Sequence, residues 1–160
     1  MNTIKEQRGG DTLNFKRKII AGLGATKTLT HHDSGALIVL DRAAGTTVTL
    51  PTYAQSGKAG TWFEFMVSVT KSGGSDKVIT GAGTELLVGS IINCDTDTSD
   101  AVAIWKALVG SSYISINLDG STKGGIKGDR FVLTQLNSTT WQVSGVTNGT
   151  GTVATPFATS

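Results

Sequence analysis

An all-β fold, a small antiparallel sandwich or barrel of jelly-roll type with an extended N-terminal arm, is what this sequence predicts. Three observations carry that prediction. Gly, Thr and Ser make up 59 of 160 residues. Thr suits the pleated, half-exposed face of a strand, while Gly and Ser supply turns. Short runs of alternating or apolar residues recur at intervals of roughly 8–12 residues with turn signals between them, the spacing of a sandwich or barrel. No segment has a helical periodicity that outweighs these signals.

Residues 1–12, MNTIKEQRGGDT, are polar and contain Gly9-Gly10, so they read as an arm. LNFKRKII (13–20) alternates at first and reads as an edge strand or as a segment that orders on a partner. TKTLTH (26–31), ALIVLD (36–41) and TTVTLP (46–51) are the first three strands, and 36–51 has the length of a hairpin. WFEFMVSVT (62–70) gives the cleanest signal, with Phe63, Phe65, Val67 and Val69 on one face and Trp62, Glu64, Met66 and Ser68 on the other. KVITGAG (77–83) and ELLVGSIIN (85–93) follow. AVAIWKALVG (101–110) suits a helix by propensity, but Gly110 and the flanking strands favour a strand entering a turn. YISINLDG (113–120) places Ile114, Ile116 and Leu118 inward. FVLTQLN (131–137) and TWQVSGV (140–146) read as a hairpin closed at Asn137-Ser138-Thr139. The expected organisation is an extended basic arm over 1–25, a sandwich body over 26–147 and a loose tail over 148–160.

A chain of this length can form one domain with its own core. Aromatics are only 6% of residues, so that core is expected to be thin. The net charge of +2 is unevenly spread. Lys5, Arg8, Lys16, Arg17 and Lys18 face only Glu6 and Asp11 within residues 1–20, a net of +3, against −1 for the rest. A basic arm on a nearly neutral body points to an acidic partner surface. The lone Cys94 excludes an internal disulfide. No apolar stretch follows Met1, so no signal peptide is expected, and no run approaches the ~20 apolar residues of a membrane helix.

Candidate chemistry is sparse. His31-His32-Asp33 is the one histidine cluster, but no nucleophile motif accompanies it, and on a strand the two rings would face opposite sides. Asp95, Asp97 and Asp100 open like a calcium loop, yet Asp100 stands where the pattern needs Gly, and Lys106 where it needs Glu. GLGATK (22–27) and GSTKGGIKG (120–128) are Gly-rich with lysines but lack the phosphate-loop spacing and read as turns. Single-strand nucleic-acid binding needs several aromatics in a basic groove, and the body around Trp62, Trp105 and Trp141 is not basic. Trp62, Tyr53 and Tyr113 are the candidate sugar platforms. No enzyme, metal or cofactor is expected.

The segment DSGALIVLDRAAGTTVTLPTYAQSGKAGTWFEFMVSVTKSG carries one further signal. Ser34-Gly35, the strand Leu37 to Leu40, the turn Ala43 to Gly45, Val48 to Pro51, Gly60, and then Phe63, Phe65 and Val67 follow one another. This pattern resembles a motif of tailed-phage virion proteins, found in head decoration (cement) proteins and in modules of tail or head fibres. The resemblance covers a quarter of the chain and contains no catalytic residue. It implies a structural virion protein, made in the host bacterial cytoplasm, that sits on the outer capsid surface. It would bind there as a homotrimer and stabilise the shell, with the major capsid protein as partner and without membrane or nucleic acid. The alternative it leaves open is a fibre module binding a host-surface glycan. On the decoration reading Arg8, Lys16, Arg17 and Lys18 are the candidate shell contacts, with Leu13 and Phe15 as apolar anchors.

Overall fold

The structure, a computed structural model, describes residues 16–56, 59–97 and 102–160. Its first half is built from stacked arches. β1 (Ile19–Ile20), β3 (Leu37–Leu40) and β5 (Trp62–Val67) lie side by side in one sheet, while β2 (Thr26–Thr28), β4 (Thr47–Thr49) and β6 (Asp76–Ile79) lie side by side in a second. The chain therefore changes sheets at every turn, and each neighbouring pair within the two triplets is parallel. Parallel neighbours need a long crossover. Here the strand of the opposite sheet is that crossover.

The second half closes both sheets. β7 (Leu86–Asp95) and β8 (Val102–Ala107) form one antiparallel hairpin, and β10 (Arg130–Asn137) and β11 (Thr140–Gly149) form another. β9 (Ser115–Leu118) and β12 (Phe157–Ala158) cross to the second sheet. The first sheet then runs β1-β3-β5-β10-β11-β7-β8, and the second β12-β9-β6-β4-β2. A single turn of helix, α1 (Tyr53–Ser56), and a 3₁₀ turn over His31–Asp33 interrupt the pattern.

The arches fit against one another through backbone. A Cβ on Gly45 would sit 2.1 Å from the carbonyl oxygen of Ser75, and φ there is +81°, so both space and conformation demand glycine. Ser72 N–H donates to the Ala43 carbonyl at 3.0 Å. Below this contact the side chains of Lys71 and Asp76 are wholly buried, with Nζ 2.9 Å from Oδ2. Lys71 also donates to the carbonyls of Leu40 and Arg42, and Asp76 Oδ1 accepts the Thr46 N–H. Thr46 Oγ1 donates onward to Gly24 O, so three successive arches are linked.

Between the sheets, Ile38, Leu40, Phe63, Phe65, Phe131, Leu133, Trp141 and Val143 face Val48, Leu50, Val78, Ile116 and Leu118, all buried. Phe65 stacks on Phe131 with centroids 4.9 Å apart, and Trp141 donates from Nε1 to the buried Glu85 at 2.8 Å. Most of the core aromatics are thus in one sheet, packed against aliphatic Val, Leu and Ile side chains of the other.

Sandwich and strand positions agree with the sequence, including the hairpin at 131–146, but three features differ. The connectivity is mixed rather than antiparallel and jelly-roll-like, because period-two alternation identifies which face is buried and not which direction a neighbour runs. Residues 36–51 form an arch between sheets, not a hairpin: Leu40 and Leu50 both point inward, one from each sheet. The boundaries also move. β1 joins the first sheet and Gly22 N–H donates to Asp41, so the body includes residues assigned to the arm. Residues 148–160 are not loose: β11 runs to Gly149, and Phe157 is buried against β9 with its ring 5.7 Å from that of Tyr113. Burial of Phe157 and the backbone bonds of this stretch to β9 and Thr122 anchor it together.

Candidate interaction surface

Strand register turns the outer face of the first sheet into rows. One row reads Val39, Met66, Arg130, Val146, Ile92, Ile104 across β3, β5, β10, β11, β7 and β8. The next reads Leu37, Glu64, Val132, Ser144, Ser90, Lys106. The face is therefore ionic at its β5–β10 side and apolar at its β8 side.

The ionic side holds the start of the described chain. Glu64 accepts ion-paired hydrogen bonds from Arg17 on one oxygen and Arg130 on the other. Arg17 also donates to the carbonyls of Gly35 and Ala36, and its guanidinium lies 5.2 Å over the Trp62 ring. Lys18 pairs with Asp33 at 2.6 Å, and Asp33 further accepts from the N–H and hydroxyl of Thr30. Burial raises the Glu64 carboxyl, but the bonds from Arg17 and Arg130 outweigh it and hold the group below the ordinary glutamate value. Asp33 is likewise raised by burial and lowered further by Lys18 and Thr30, with a net decrease.

Of the six residues singled out for shell contact, Arg8, Leu13 and Phe15 lie outside the described residues. Lys16 is exposed. Arg17 and Lys18 are engaged with the body itself, through Glu64 and Asp33. Alternating sequence around residues 13–20 signalled a strand, but not that Glu64 and Asp33 would claim its charges.

The apolar side was not anticipated. Val102 is 66% exposed, Ile104 57%, Leu108 63% and Val109 90%. Ile92, the register neighbour of Ile104, and Val146, next in the same row, are also exposed, and so is Leu136. Leu136 falls on the outward set of β10 by simple alternation, next to a register shift between Gln135 and Asn137. A shallow depression lined by Val88, Leu108, Val109 and Leu136 joins that side chain to the β8 end. The available signal was the apolar character of AVAIWKALVG at nearly every position. Its inner side chain Trp105 packs on the core, and the alternating set has no polar residue before Lys106.

Elsewhere the candidate sites resolve into structure. His31 and His32 do not face opposite sides: on a 3₁₀ turn their rings come within 3.8 Å at the mouth of a groove of about 330 Å³ lined by Leu29 and Pro51. Asp33 is turned away from them, toward Lys18 and Thr30. Asp97 accepts the Gly151 N–H, Asp95 accepts the Asp97 N–H, and Asp100 lies outside the described residues. Among the described residues no group of three His, Cys, Asp or Glu side chains is placed to hold a metal ion. In 120–128 the backbone N–H groups of Ser121 and Lys123 bind Asp119, and those of Gly125 and Ile126 bind the buried Asp129, which leaves a closed turn rather than an anion cradle. Trp141 is core, Trp105 is partly buried, and Trp62, 38% exposed, has Arg17 on its face. No family model, no curated protein and no solved structure matches this chain.

Proposed function

We propose that this chain is a structural virion protein without enzymatic activity: a head decoration protein of a tailed phage that sits on the outer capsid surface as a homotrimer and binds the major capsid protein. The resemblance of residues 33–73 to virion β motifs supports this reading. The observation that carries it is the partition of one sheet face, which holds the root of a basic segment at its ionic side and leaves an apolar expanse at the other. Such a body suits a rigid clamp. The stacked arches resist deformation, the Arg17–Glu64–Arg130 bridge fixes where the N-terminal segment departs, and that segment supplies positive charge and apolar anchors to the shell. Several copies held together would multiply a weak single contact. A glycan-binding fibre module is less well supported, since the exposed aromatic it would use, Trp62, is capped by Arg17.

The test is co-sedimentation with heads of the producing phage, together with antibody labelling of intact virions. The full chain is expected to bind heads saturably and to label the head lattice. A variant lacking residues 1–15, which keeps β1 and its bridges, is expected to fold and to lose binding. Labelling confined to tails, or full binding by the shortened variant, would overturn the head reading or the role of the arm respectively.

A further inference from the structure

We propose that the β8 side of the first sheet's outer face is the surface through which copies of this chain join. The occupant is a second copy of the same protein. Exposed large hydrophobics gather there: Val102, Ile104, Leu108, Val109, Leu136 and, beside them, Ile92 with Val146. Summed over these seven residues the exposed area, backbone included, is on the order of 700 Å², comparable with the ~800 Å² per partner of a standard interface, and the Ser144–Ser90–Lys106 row crosses it as a polar strip.

Two features select a copy of the chain over another occupant. At its β8 end the patch carries one charge, Lys106, and Arg130 borders it beside Val146, already paired with Glu64, so it does not present a strongly acidic or basic surface. The sequence's positive excess lies instead in residues 1–20, although Arg17 and Lys18 within it are paired to Glu64 and Asp33. An apolar area of this size also needs cover from the moment of folding, and sister copies are the partner present at synthesis in matching amount. β8 adds a second means of contact. Among the described residues it pairs only with β7 and ends its sheet, so its other edge offers backbone donors and acceptors, with Lys106 as the one charge on it that discourages pairing. Packing of the Ile104 row against a neighbour removes both exposures at once. The inference shares with the decoration reading only the existence of an oligomer and requires neither shell nor phage.

The experiment is sedimentation velocity on the full chain between 1 and about 100 μM, with hydrogen exchange measured at both ends of that range. The wild type is expected to sediment as a closed oligomer of the 16.6-kDa chain, with slowed exchange at residues 102–107 in the assembled sample. Ile104→Lys changes an exposed side chain, so its circular dichroism and melting temperature should stay near wild type. Its assembly midpoint should rise at least tenfold. Lys127→Glu, on a loop away from β8, should assemble as wild type does. A monomeric wild type at the top concentration would overturn the proposal. So would an oligomer with unchanged exchange in β8, a result that does not depend on any variant folding. Failure to bind heads by a well-formed oligomer would refute the decoration reading alone, and a monomer that binds heads would refute this inference and the trimer of the decoration reading while leaving its head location standing.

Discussion

Lys71 shows how one side chain can hold a fold made of short strands. Its ammonium is sealed from solvent, ion-paired to Asp76 and hydrogen-bonded to two carbonyls of the preceding arch. Burial pushes the Asp76 carboxyl above its ordinary value, and Lys71 offsets only part of that rise. The pair therefore serves geometry more than net stability, since a buried ion pair often does no better than apolar replacements. Breaking it from one side is a different matter. Lys71→Met should destabilise the protein by about 3–5 kcal/mol because the Asp76 charge is left alone in the interior, and Lys71→Met with Asp76→Asn should recover part of the loss. Urea titration of both variants measures this, and equal stabilities for wild type and Lys71→Met would remove the pair from the account. Nothing in KSGGSD, which reads as a plain loop, announced it. Its Lys and Asp become partners only because the arches stack.

Individual strands were the most legible part of the sequence, and the contacts that order them were the least. Alternation in WFEFMV located β5 and its buried Phe63 and Phe65 correctly, because side-chain period follows directly from backbone geometry. The same residues say nothing about whether the neighbour is parallel. β1 is the extreme case: two residues long, it pairs with β3, and the two residues before it are bridged to Glu64 and Asp33, neither of them adjacent in sequence. That dependence gives it a pH response of its own. Burial raises both carboxyls, but their bonds to cations and to Thr30 lower them further, so each titrates below its ordinary value in the folded chain. Their contribution is complete above the ordinary carboxylate pKa of about 4 and disappears as pH falls through the lowered values. Asp76 and Asp129 are shifted upward, so acid relieves rather than removes their effect on the core. Amide protection at Ile20 and Leu37, corrected for intrinsic exchange, should drop several-fold on acidification, in line with about 1 kcal/mol from partly exposed bridges. Protection at Phe65 and Phe131 should persist. Loss of protection at all four positions together would show that β1 has no separate response.

For the molecule as a whole, the two surfaces should answer oppositely to salt. Attachment of a basic segment to an acidic shell weakens as ions screen it, with a Debye length near 10 Å at 0.1 M and about 3 Å at 1 M. Apolar self-association through the β8 face should hold or strengthen. Raising sodium chloride from 0.1 to 1 M is therefore expected to release the protein from heads while its sedimenting mass stays constant. Parallel loss of both would show that one surface performs both tasks. The charge asymmetry behind the first expectation was visible in composition. The apolar face was concealed, because AVAIWKALVG looks the same whether its outer residues meet solvent, a helix or a neighbour.

The arch stack has a consequence for how such a chain can change length. Each circuit from one sheet to the other and back adds one strand to both, so the unit of growth is a whole loop of roughly twenty residues and ~4.8 Å of width. A circuit inserted between β2 and β3 would meet, above and below, the same kind of backbone surface that the existing turns present. A body of this design can be widened or narrowed in steps while the hairpins that close its far side keep their places.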